Sequence, residues 1–149
     1  MRLHAGVLFF LGLPLLVRAA DVKPSDGMNA VPSGRIYYVA NYGLDNADCG
    51  TSTRPCRSIT HAHSKSEGSD TILVGPGRYG DVNGDGDFSD PGDEQGDGCV
   101  VCITRSGVRV LSQQGAVFTL IDATGTSFND AVMINARDVQ FGAAGHGFR

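Results

Sequence analysis

The chain reads as an all-β protein whose short strands wind into a coiled solenoid, and three observations point there. Glycine is the outlier, with 21 copies against 7 Phe, 4 Tyr and no Trp. That much conformational freedom marks frequent sharp turns and does not favour a helical bundle. From Cys99 onward, short runs rich in Val, Ile, Leu and Phe recur, separated by Gly, Ser, Asn or Asp. The interval from Val108 to Val132 falls within the roughly 20–30 residues of one solenoid turn. A sandwich also has many short strands. However, the spacers at 124–130 and 135–138 differ in length, as the unequal corners of a coil do, and no Asn-Gly or Asp-Gly hairpin turn lies between the later strands.

The elements follow in order. Met1 to Ala20 begins with Arg2, continues through an apolar stretch from Gly6 to Val17, and places Val17 and Ala19 at the small-residue positions of a cleavage site. This is the pattern of an export signal, residues 1–19. Pro14 argues against a buried N-terminal helix. Residues 20–35 are rich in Pro, Ser, Gly and Asn and are expected to be a linker. IYYVA at 36–40 is a β-type run. Residues 41–55 form a polar loop. RSITHAHSKS at 57–66 predicts a short helix with Ile59 and Ala62 on one face. TILVG at 71–75 predicts a buried strand, closed by PGRYG as a turn. Strands are then expected at 99–104, 108–113, 118–123, 132–136 and 138–142.

Composition sets outer limits. With 149 residues the chain holds one domain, and 41% hydrophobic content is enough to bury a core. The formal charge is −4. Cleavage after Ala19 removes Arg2 and Arg18 and enlarges the acid excess, so a nucleic-acid partner is not expected. No apolar run after the N-terminus is long enough to span a bilayer, so no membrane span is expected in the mature chain.

Residues 36–142 resemble the opening of secreted right-handed parallel β-helix proteins of the pectin-lyase-like superfamily. There a strand ending in "YV" precedes a polar loop, then an "S/T-I-x-x-A" cap helix, then "G-D-T-I-x-V-x-P-G-x-Y". Ser58, Ile59 and Ala62 match the helix. Asp70, Thr71, Ile72 through Val74, Pro76, Gly77 and Tyr79 match the strand and turn. The resemblance implies a right-handed parallel β-helix, with only the N-terminal coils present over 36–149 and a helix covering the first coil. The chain stops at GAAGHGFR in mid-pattern, so a truncated frame is expected. Relatives of this fold cut acidic polysaccharides, by β-elimination with Ca²⁺ and an Arg base or by hydrolysis with paired carboxylates. Here Asp122, Arg137 and Asp138 lie beside strands, but they read more simply as solvated turn residues, and no catalytic residue is assigned.

The sharpest chemical signal is the insertion at 81–98, where acids crowd without a Lys or Arg. DVNGDGDFSD puts Asp81, Asn83 and Asp85 at the first, third and fifth places of a D-x-N-x-D-G calcium loop, with Gly86 at the turn and Asp87 next. Alternating oxygen-bearing residues curl around a hard cation, and Gly permits the curl. The twelfth place holds Gly92 in place of the usual Glu. Closure then falls to Asp90, Asp93 or Glu94, and Asp93 is the expected one. Asp81, Asn83, Asp85, Asp87 and Asp93 are therefore the expected Ca²⁺ ligands.

Four cysteines, Cys49, Cys56, Cys99 and Cys102, allow three connectivities. Export favours disulfides over zinc. Cys49 and Cys56 enclose a short loop. An extended CVVC strand would hold its two Cα atoms roughly 10 Å apart, too far to bridge, so cross-pairing stays open. His61 and His63 do not share a helix face and are poor joint ligands; with His146 they are expected at the surface. No nucleophile elbow, Walker loop or dinucleotide fingerprint occurs. The function expected is that of a secreted calcium-binding module associated with extracellular polysaccharide and non-catalytic as it stands. A polysaccharide lyase or glycoside hydrolase is the alternative.

Overall fold

A computed structural model of the chain describes residues 34–128 and 130–149; the expected signal peptide and nearly all of the expected linker lie outside them. The elements in order are β1 (Ile36–Val39), α1 (Ile59–Lys65), β2 (Thr71–Val74), β3 (Gly77–Gly80), β4 (Cys99–Ile103), β5 (Arg109–Ser112), β6 (Thr119–Asp122), β7 (Asp130–Ile134) and β8 (Gln140–Phe141). Every strand pairing among the described residues is parallel. One sheet runs β1-β2-β5-β8, a second pairs β3 with β6, and a third pairs β4 with β7. The chain visits the three sheets in turn and returns to the first, which makes a β-solenoid of about three turns with one short helix. Parallel stacking excludes the hairpin and sandwich alternatives.

The registers correct the expected repeat. Val132 pairs with Val101, and Val110 pairs with Phe141. Val108 and Val132 are therefore not one turn apart. The repeat is longer, Cys99 to Asp130 or Arg109 to Gln140, because each full turn carries three strands and three corners. The expected turn PGRYG is also corrected. Gly77–Gly80 is β3, in register with Thr119–Asp122. Its two glycines disguise a strand whose single large inward residue, Tyr79, is 1% exposed.

The core lies inside the coil. Val39, Ile72, Val74, Val100, Val101, Ile103, Val108 and Val110 are essentially sealed from solvent. At about 25 cal/mol per Å² of apolar surface, this aliphatic stack is the main favourable contribution. α1 packs on β1, β2 and β4 and buries Ile59 and Ala62 completely, so it covers one flank of the first coils. Ser58 is its N-cap and accepts from the His61 amide at 3.1 Å. Arg105, from the β4–β5 corner, donates to the Ser64 carbonyl at 2.9 Å and to the Ser66 carbonyl, and so closes the C-terminal end.

His63 departs from expectation, being buried at 5% exposure. Its Nε2 accepts from the Thr104 amide at 3.1 Å, which ties α1 to the end of β4. Burial lowers its pKa from 6.5, and the nearby Arg105 lowers it further. The unfolded chain takes up this proton near pH 6.5, whereas the folded chain does so only at lower pH. The His63 contribution to stability is therefore present above pH 6.5 and is lost as pH falls through the folded value. Gln at 63 keeps an acceptor without a titration. Denaturant unfolding of wild type and His63→Gln, at pH 8 and pH 5, should show wild type losing more stability on acidification. Equal losses would refute the assignment. Comparing the two chains cancels the contributions of other groups.

The cysteines pair locally, Cys49 with Cys56 and Cys99 with Cys102, and no described cysteine is free. The objection to the second pair fails because the strand is bent there. Its Cα atoms lie 5.7 Å apart, far closer than an extended run of that length allows.

Candidate metal site

The acidic loop leaves β3 at Gly80 and returns as β4 at Cys99. Two carboxylates shape it from within. Asp81, 1% exposed, accepts from the amides of Gly84 at 2.6 Å and Gly86 at 2.7 Å. Asp93, 5% exposed, accepts from Val82 at 2.9 Å and Asp90 at 2.9 Å. Asp and Asn side chains turn a chain in this way by answering its own amides.

Glu94 fixes the loop to the solenoid. It is fully buried, and its carboxylate accepts from Ile59 N at 2.5 Å and Thr60 N at 2.7 Å, the first two amides of α1. Asp45 supports the same end by accepting from the amides of Arg57 at 2.7 Å and Ser58 at 3.1 Å and from the Ser58 hydroxyl at 2.7 Å. Burial pushes the Glu94 carboxyl up to about 7, against the downward pull of the bonds from Thr60 and Ile59. A further contact holds the loop to the next coil, where Phe88 meets Phe128 edge to face at 6.2 Å.

On this frame the outer carboxylates converge. One oxygen each from Asp85, Asp87 and Asp90 lies within 4.8 Å of the others. Asn83 sits among them. Its Nδ2 donates to Asp85 at 3.0 Å and to Asp90 at 2.5 Å, and its Oδ1 accepts from the Asp85 amide at 3.0 Å. Hydrogen bonds from Ser89 hold the Asp87 carboxyl below its ordinary range, so it is ionised at neutral pH. Of the expected ligands, Asp85 and Asp87 join the cluster and Asn83 borders it. Asp81 and Asp93 are buried with both carboxylate oxygens on backbone amides, whereas Asp85 and Asp87 are exposed and each accepts a single amide, from Asp87 and Ser89. Asp90, the other Asp weighed for closure, takes the third place.

The residues weighed for catalysis do not assemble into one constellation. Asp122 ends β6 and pairs with Arg78 of β3 at 3.0 Å; hydrogen bonds from Thr124, helped by Arg78, lower its pKa. Arg137 and Asp138 lie instead in the β7–β8 connection, where the Arg137 amide donates to Ser106. Sequence reasoning missed Glu94 as a helix cap, because its partners lie more than thirty positions earlier in the chain.

The described residues thus define a parallel β-solenoid with one short helix packed on its first coils and an acidic loop. Comparison with protein-family models, with curated proteins and with solved structures finds no match to this chain. No described helix is long and apolar enough to cross a membrane.

Proposed function

We propose that the chain is a secreted calcium-binding module of a right-handed parallel β-helix protein of the pectin-lyase-like kind, associated with extracellular polysaccharide and non-catalytic. The observation that carries the calcium reading is the convergence of Asp85, Asp87 and Asp90 within 4.8 Å. Ca²⁺ binds oxygens at about 2.3–2.6 Å, so ligands on opposite sides of one ion lie roughly 5 Å apart. The cluster has that span. Three carboxylates this close repel one another when no cation intervenes. The donor set is all oxygen, which suits a hard cation over a thiophilic one. Asp81 and Asp93 then act as the frame that shapes the loop, and an ion would stiffen the loop between the solenoid and its cap.

Calorimetric titration with Ca²⁺ is the test. Heat of binding and a rise in melting temperature are expected, both much reduced in the Asp85→Asn/Asp87→Asn double variant. Binding to the folded state alone adds about 2.7 kcal/mol at a hundredfold excess over Kd. No heat and no melting shift at millimolar calcium would remove the reading. The glycan association rests on the resemblance of residues 36–142. The non-catalytic part rests on Asp122 lying at the end of β6, apart from Arg137 and Asp138 in the β7–β8 connection. Unsaturated product formed from pectate or alginate, followed in the ultraviolet, would overturn that part.

A further inference from the structure

A second cluster of metal-ligating side chains lies beside the first turn of α1. One donor atom each from Asp45, Cys49, Cys56 and His61 falls within 4.8 Å of the others. In the oxidised chain the two sulfurs are bonded, with Cα atoms 4.8 Å apart. We propose that these four side chains form a site for a thiophilic divalent ion of the Zn²⁺ class when the Cys49–Cys56 disulfide is reduced. The disulfide and the metal site are then two states of one cluster.

The scaffold around the sulfurs does not depend on the S–S bond. Tyr38 N donates to Gly50 O at 2.9 Å, Cys56 N to Tyr38 O at 2.9 Å, and Ala40 N to Cys56 O at 2.9 Å. These bonds fasten both ends of the cysteine loop along β1. Two thiolates, an imidazole and a carboxylate make a four-coordinate zinc set, whose ligand–ligand edges are about 3.3–3.8 Å. Opening the S–S bond brings the sulfurs to that range with little movement of a backbone already held.

The surroundings are those of a metal ligand set. The His61 Nε2 lies 3.1 Å from the Asn46 carbonyl, and as a donor there it leaves Nδ1 without a proton. Asp45 is oriented by the Ser58 hydroxyl and two amides, yet a carboxylate offers about four acceptor positions, so one remains. Lys65 holds its ammonium 3.8 Å from Cys49 Sγ and donates to the carbonyls of Ala47 at 2.8 Å and Cys49 at 2.6 Å. A cation there favours thiolate over thiol. It also offsets the net negative charge of an ion with two thiolates and one carboxylate.

The conversion balances with a trialkylphosphine. Phosphorus is oxidised to the phosphine oxide with oxygen from water, the S–S bond breaks, and the two sulfurs take up two protons as thiols. Binding of the divalent ion then releases both protons as the thiolates coordinate.

The test uses the whole chain, phosphine and Co²⁺, whose tetrahedral thiolate complexes have d–d bands in the visible and charge-transfer bands in the near ultraviolet. One Co²⁺ per reduced chain with both signatures is expected, displaced by Zn²⁺ and expelled on reoxidation. His61→Ala should weaken binding by about tenfold or more, and Asp45→Asn should weaken it too. Both variants keep the cysteines, so their folding is checked in the oxidised state. A Cys99→Ser/Cys102→Ser variant should keep the bands. Four outcomes would overturn the proposal: a bridge that resists phosphine in the folded chain, absence of tetrahedral bands, bands lost with Cys99 and Cys102, or bands indifferent to both His61 and Asp45. The oxygen cluster at Asp85, Asp87 and Asp90 contributes no thiolate band, so failure here leaves the calcium reading standing.

Discussion

Replacing Glu94 with Ala should lower the stability of the fold by about 2–4 kcal/mol, among the largest effects of any single side chain outside the aliphatic core. Helix N-termini leave their first amides without intrahelical partners. In α1 each has a side-chain acceptor: Ile59 and Thr60 donate to Glu94, and His61 donates to Ser58. Ile59 is wholly buried, so its amide has no ready water to replace the lost carboxylate. Each buried donor left unsatisfied costs about 1–3 kcal/mol. Removing the carboxylate also removes the cost of burying it, which is why the sum stays below the upper bound. A domain of this size should melt roughly 10 °C lower, at a few degrees per kcal/mol. Hydrogen exchange gives the local readout. The amides of Ile59 and Thr60 should lose protection first, while those of β2 and β5 keep theirs. Gln at 94 restores one acceptor but turns an N–H₂ toward the other amide, so its cost should be intermediate. Unchanged melting together with unchanged exchange at Ile59 and Thr60 would refute the capping role. The same variant should weaken calcium binding, because Glu94 lies next to the Asp93 turn and ties the loop to the solenoid.

The local features of this fold were legible, because their causes are local. Ile59 and Ala62, three positions apart, announce a short helix with one apolar face, and both are fully buried. TILV and CVVCI read as interior strands because they are aliphatic and bounded by turn residues, and both are strands here. The D-x-N-x-D-G pattern marks the acidic loop for the same reason: the oxygens that converge are only a few positions apart. Long-range features were not legible. The repeat was misjudged because Val108 leads into β5 of the first sheet whereas Val132 lies in β7 of the third; β3 was missed because one short corner, Gly75 and Pro76, joins it to β2, and the strand looks like more of the turn. Glu94 gives no sign in sequence of the helix it caps. His63 looks like any polar helix residue until β4 is laid against it. Which carboxylates stay exposed and which are buried on two backbone amides is decided by the path of the loop, and composition does not reveal that path.

Gly80→Ala should be at least as damaging, at about 2–5 kcal/mol. Gly80 has φ +95°, and a Cβ built there would lie 1.9 Å from the Asp122 carbonyl oxygen. Two costs therefore combine. The left-handed backbone costs an L-residue about 1–2 kcal/mol. The clash is with backbone, so relief means prying β3 from β6, and overpacking of this kind costs about 1–3 kcal/mol more. The position is sensitive because three connections meet there. Gly80 lies opposite Asp122 in the β3–β6 register, Asp81 N donates to the same Asp122 carbonyl at 3.1 Å, and Gly80 O accepts from Glu94 N at 3.0 Å. The acidic loop is thus hung from the solenoid at the point where two coils touch. Gly98, at the loop's other end, separates the two costs. It has φ +82°, but nothing lies within 4 Å of its Cβ position. Gly98→Ala should therefore cost only the backbone share, about 1–2 kcal/mol. Chemical unfolding of the two variants side by side measures the difference. If Gly80→Ala proved no worse than Gly98→Ala, the close stacking of β3 on β6 at this corner would be wrong, and with it the frame that aims the acidic loop.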